Sequence, residues 1–115
     1  MLRFLLVLPL VALSYLPPAL ADTMASDKVA LVIGMSGYSS IPRLKNTVND
    51  AQALADTLDG MGFAVEVLID TNRDQTLQAL TDFAFKAETA DQALIYYAGH
   101  GVSVQGTTFL FPVDA

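Results

Sequence analysis

The sequence predicts an α/β fold in which a mainly parallel sheet carries helices on both faces. Two observations predict it. Short apolar runs alternate with stretches whose apolar residues recur every three or four positions, in the order β-α-β-α-β. The segments between the runs are also long enough to hold the helices that right-handed parallel crossovers use.

The first run, Lys28 to Gly34, is rich in β-branched residues and closed by a glycine, as expected of a strand buried on both faces. Met35 to Leu44 contains Gly37, two serines and Pro42, which makes it a loop. From Thr47 the positions Val48, Ala51, Leu54, Ala55, Leu58 and Met61 form one helical stripe, with Asn46 as the expected N-cap and Gly60 and Gly62 as stop signals. Phe63 to Ile69 is the second strand. Asn72-Arg-Asp-Gln75 has the form of a capping box, and Leu77, Leu80, Phe83, Ala84 and Ala87 continue it as a second helix. Ala93 to Ala98 is the third strand, expected at the centre of the sheet. Val102–Val104 and Thr107–Phe111 flank Gln105-Gly106 as a hairpin.

Residues 1–21 read as an address rather than as fold. Arg3 precedes an apolar run from Phe4 to Leu16, Pro17-Pro18 ends it, and Ala19-Leu20-Ala21 supplies the small residues of a signal-peptide cleavage site. Thirteen apolar residues are too few for a span that needs about 20. The expectation is cleavage after Ala21, a secreted or periplasmic product without stable membrane association, a short linker over 22–27, and one domain over 28–115. Loss of Arg3 takes the net charge from −6 to −7, a balance that argues against nucleic acid, where cationic side chains must replace phosphate counterions. The chain has no cysteine, which excludes a disulfide framework, a thiolate zinc site and a cysteine nucleophile within these 115 residues. With one histidine and no ligand cluster, no metal or cofactor is expected.

In open α/β sheets, ligands bind beyond the carboxyl ends of the strands. Three loops leave those ends: Met35–Lys45, Asp70–Asn72 and Gly99–Gly101. The sole histidine, His100, falls on the third, between two glycines expected to let the backbone turn sharply and leave the imidazole and the following N–H uncovered. An imidazole near its ordinary pKa of about 6.5 takes and returns a proton near neutrality. Asp50, in the first turn of the first helix, points an acid at the same crevice, where it favours a basic substrate group; it also complements the helix dipole. Gly34-Met-Ser-Gly37 lacks the spacing of a phosphate loop, and Ser36 does not stand in a nucleophile elbow.

Tyr96-Tyr97-Ala98-Gly99-His100-Gly101 resembles the strand-end histidine motif of the caspase/metacaspase superfamily of cysteine peptidases. Leu44-Lys-Asn-Thr-Val-Asn-Asp50-Ala51 resembles the metacaspase pattern in which an Asn-Asp pair opens the first helix. Lys28–Gly34, Gly62 to Leu68, Asn72 to Gln75 and Phe109 to Ala115 fit as well, so the likeness to bacterial p20-type caspase-like domains covers Lys28–Ala115.

The resemblance implies a three-layer αβα caspase-like fold, incomplete at the C-terminus, and proteolysis of polypeptides. It places His100 as the histidine of a Cys-His dyad, Gly101 as an oxyanion-hole N–H, and Asp50 as an acid favouring Arg or Lys before the scissile bond. The family's nucleophile lies on the following strand, and this chain has no cysteine. The expectation is therefore a fragment with the C-terminal part of the catalytic domain missing, inactive alone. The alternative is a catalytically dead module that binds peptides in the Asp50/His100 crevice.

Overall fold

The computed structural model describes residues 27–115; the expected signal peptide and most of the linker, residues 1–26, lie outside the described residues. The elements are β1 (Lys28–Gly34), α1 (Thr47–Gly60), β2 (Ala64–Ile69), α2 (Arg73–Ala87), β3 (Gln92–Ala98), β4 (Gly101–Val104) and β5 (Thr107–Leu110). β1, β2 and β3 form a parallel sheet in the order β2-β1-β3. β1, and not β3, is thus the central strand. Each crossover places its new strand beside β1, on opposite sides, which alternation of apolar residues within a strand cannot reveal.

Alternation along β1 divides the core in two. Ala30 and Val32 pack with Ala51, Ala55, Leu58 and Phe63 on the α1 face. Leu31 and Ile33 pack with Met35, Tyr38 and Phe83 on the α2 face. One helix therefore covers each face, the three-layer arrangement expected. The stripes are shorter than their periodicity suggested: Met61, at the C-cap of α1, is 59% exposed, and Leu77 and Ala84 also face outward.

α2 starts as its sequence reads. Asn72 Oδ1 accepts from Gln75 N–H (2.8 Å), and Gln75 Oε1 accepts from Asn72 N–H (3.1 Å), a complete capping box. α1 does not use the expected cap. Asn46 has helical backbone angles and makes no side-chain cap bond. Instead Thr47 Oγ1 donates to the Met35 carbonyl (2.8 Å), tying the first turn of α1 to the chain leaving β1.

β4 and β5 pair antiparallel through a two-residue turn, Gln105-Gly106, with φ of 49° and 82°. Positive φ at both central positions matches the twist of the flanking strands. The Phe111 N–H donates to the His100 carbonyl (3.0 Å), so the hairpin springs directly from the end of β3.

Candidate active site

The register makes the three parallel strands end level: Gly34 lies opposite both Ile69 and Ala98. The three loops that leave these ends meet above the sheet. They are joined by Phe111–Asp114, which follows β5 and laces across them. Val113 N–H donates to Thr71 O (3.2 Å), Ser39 N–H donates to Val113 O (3.1 Å), and Asp114 Oδ1 accepts from Arg73 N–H at the start of α2 (2.9 Å).

His100 sits at the centre of this lacing. Its ring Nε2 lies 2.7 Å from the Pro42 carbonyl oxygen, on the β1–α1 loop. A carbonyl only accepts, so Nε2 is the donor, and in the neutral ring the lone pair lies on Nδ1. The ring also packs on Tyr38, with centroids 4.8 Å apart and planes at 56°.

The main chain of His100 is held as firmly as its ring. Its N–H donates to Tyr38 Oη (2.9 Å), and its carbonyl accepts from Tyr97 Oη (2.7 Å) as well as from Phe111 N–H. The two phenol oxygens are 3.1 Å apart, and each lies 2.9 Å from the Phe111 carbonyl. Burial raises the Tyr97 phenol pKa well above the ordinary tyrosine range, and the neighbouring Tyr38 hydroxyl adds to the effect.

The glycines beside His100 have a different role from the one expected. Neither Gly99 nor Gly101 has positive φ. A Cβ at Gly99 would stand 2.6 Å from Tyr38 Oη and collide with Tyr97 Oη, so the missing side chain makes room for the two hydroxyls. A Cβ at Gly101 would lie 3.0 Å from the Phe109 carbonyl. The Phe111-to-His100 bond also makes Gly101 and Leu110 a non-hydrogen-bonded pair, which turns the Gly101 N–H away from β5.

Asp50 lies in the first turn of α1, at the carboxyl end of the sheet, and is exposed. Its N–H donates to Asn46 O (2.9 Å), while its carboxylate makes no hydrogen bond or ion pair among the described residues. His100 and Asp50 therefore share one end of the sheet and are not hydrogen-bonded to each other.

Sequence reasoning missed Asp70. It stands at the end of β2 with φ of 51°, a left-handed conformation that aspartate tolerates. Its Oδ1 accepts from Ser36 N–H (2.7 Å) and Gly37 N–H (3.0 Å). The glycine-containing loop that lacks phosphate-binding spacing thus spends its amides on the chain's own carboxylate. An acid directly after a strand was the visible signal, but its partners lie more than thirty positions away.

The caspase-domain profile of the peptidase C14 family matches residues 27–115. The chain is 37% identical over 92 residues to human mucosa-associated lymphoid tissue lymphoma translocation protein 1, a match covering 80% of this chain and 11% of that protein. The mouse homologue of that protein matches to the same extent. Metacaspase-4 of Arabidopsis thaliana is 30% identical, over 70% of this chain and 22% of its own length. The chain thus spans about a tenth of the first two relatives and about a fifth of the third. A parallel sheet between two helices, a histidine seated at its carboxyl end and a profile match across the described residues agree: this chain belongs to the caspase-domain family of peptidases.

Proposed function

We propose that the chain is the histidine-bearing part of a caspase-like, cysteine-type endopeptidase that cleaves polypeptides after arginine or lysine. One observation carries the reading: His100 is anchored through Nε2 on the Pro42 carbonyl, which leaves Nδ1 free to exchange a proton. In the proposed cycle Nδ1 takes the thiol proton, the thiolate attacks the scissile carbonyl, and the imidazolium protonates the leaving amine. The Gly101 N–H, turned out of the hairpin ladder, is the proposed donor to the oxyanion. The unpartnered Asp50 carboxylate is the proposed acceptor for the basic side chain before the cleaved bond.

The chain has no cysteine, so the thiol must come from polypeptide outside these 115 residues. The same count supports a second reading, a module that holds basic peptides without cutting them. We further propose that residues 1–21 are a signal peptide and that the domain begins near Lys28. Mass spectrometry of the exported protein should then find Asp22 as the first residue.

The functional test compares two polypeptides on peptide amides with Arg, Lys or Asp before the reporter group. The 115-residue chain should release nothing. The chain extended through downstream coding sequence that supplies a cysteine should cleave the Arg and Lys peptides and lose turnover on treatment with iodoacetamide or on His100→Ala. Turnover by the 115-residue chain alone, or by an extended chain lacking His100, overturns the reading. Binding of basic peptides without cleavage in both forms favours the second reading.

A further inference from the structure

We infer that Tyr38 and Tyr97 are positioning residues for His100: their paired hydroxyls fix its peptide group so that the imidazole stays on the Pro42 carbonyl with Nδ1 free. The inference rests on the proposed acid–base role of His100. It follows from where each proton can go.

Four donors meet three acceptors around the His100 peptide. The His100 N–H goes to Tyr38 Oη (2.9 Å), and the Phe111 N–H goes to the His100 carbonyl (3.0 Å). A carbonyl cannot donate, so Tyr97 O–H satisfies the His100 carbonyl (2.7 Å) and Tyr38 O–H satisfies the Phe111 carbonyl (2.9 Å). Tyr97 O–H has the Phe111 carbonyl within reach as well (2.9 Å), so the two hydroxyls share two carbonyls between them, with the His100 carbonyl the nearer to Tyr97. Loss of the Tyr38 oxygen removes the acceptor of the His100 N–H, and loss of the Tyr97 oxygen removes one of the two donors to the His100 carbonyl. Gly99 belongs to the same device, because any side chain there would occupy the space of both hydroxyls. The tyrosines come from different places, Tyr38 from the loop after β1 and Tyr97 from β3. The clamp therefore joins the loop that carries Pro42 to the strand that leads into His100. If it loosens, the ring leaves Pro42 and the proton is free to move to Nδ1.

The chain has a single histidine, so its ring nitrogens are read without ambiguity by long-range proton–nitrogen NMR. The wild-type chain should show Nε2 protonated and Nδ1 bare, with slowly exchanging phenol protons that give cross-peaks to the His100 amide. Tyr97→Phe and Tyr38→Phe keep the rings and remove one oxygen each, and each should bring a mixture of tautomers. Leu58→Ala, a core change on the α1 face in a cluster that contains neither Tyr38 nor Tyr97, should lower stability and leave the tautomer as it is. In the extended, cysteine-bearing polypeptide, each Tyr→Phe variant should lose about tenfold to a hundredfold in kcat with KM little changed.

Unchanged tautomers in both variants, or no protected phenol protons in the wild type, overturn the inference. The wild-type measurement stands even where a variant does not fold. The proposed function fails separately: tautomers that shift in a polypeptide that never cleaves would leave the clamp standing and remove the peptidase. A peptidase that needs His100 while its tautomer ignores both tyrosines would do the reverse.

Discussion

β1 and β3 are neighbouring strands of equal length in one sheet, paired residue for residue, yet they are stabilised differently. β1 is apolar on both faces and has a strand on each side. Among the described residues β3 has β1 on one side only, and its first four residues are exposed. Its order is concentrated at the other end, where Tyr96 joins the α1 core, Tyr97 joins the α2 core, and Tyr38, Phe111 and Pro42 close over His100. β1 is held by burial, which is non-directional and proportional to area. The end of β3 is held by hydrogen bonds of defined geometry, which fix where an imidazole points. The two neighbouring strands thus differ in the kind of force that orders them.

The largest test of this contrast is Leu31→Ala on β1. Leu31 is fully buried between the sheet and α2, so the change removes its transfer free energy and leaves a cavity, at a cost of about 2–5 kcal/mol. Urea unfolding followed by far-UV circular dichroism measures it. A cost below about 1 kcal/mol would mean that the α2 face is loosely packed and that β1 is not the anchor.

Gly99→Ala should cost less, about 1–3 kcal/mol, because the added methyl meets two hydroxyls held by other bonds. Unlike Leu31→Ala, it should also shift the amide signals of His100 and Phe111. A change in stability without those shifts would place the strain elsewhere.

The contrast also shows what the sequence could convey. Apolar periodicity marked β1 and both helices, the Asn72–Gln75 spacing marked the capping box, and Gln105-Gly106 marked the hairpin turn, because each signal is local. The position of His100 at a strand end was legible for the same reason. The order β2-β1-β3 was not, since periodicity reports which face a residue buries and not which strand lies beside it. The clamp was illegible too: Tyr38 and Tyr97 are 59 positions apart, and Pro42 and His100 are 58 apart. Asn46 misled because a side-chain cap and a tether through Thr47 look alike in sequence.

A smaller effect should appear in alkali. The folded state holds the Tyr97 proton more tightly than the unfolded chain does, because burial disfavours the phenolate. Folding therefore gains nothing from pH below the unfolded tyrosine value near 10, and stability falls as pH rises from there through the raised folded value. Denaturant midpoints measured from pH 8 to 11 should decline at the alkaline end, and Tyr97→Phe should flatten the decline. An equally steep decline in Tyr97→Phe would assign it to another group.

Ile95→Thr should have the smallest effect. Ile95 lies on β3, 54% exposed, beside a cavity of about 220 Å³ that it lines with Leu77, Leu80 and Leu110. Threonine is also β-branched, so the strand keeps its backbone preference, and the new hydroxyl can meet water. What is lost is a side chain already half in solvent, so the change in stability should stay within about 0.5 kcal/mol. The corresponding change at Ile33, two per cent exposed on the facing strand, buries a hydroxyl in an apolar cluster and costs several times more. The ratio of the two costs, from paired urea titrations, measures the difference between the strands directly. A cost at Ile95 equal to that at Ile33 would show that this part of β3 is covered in solution, and the exposed edge would have to be redrawn as an occupied one.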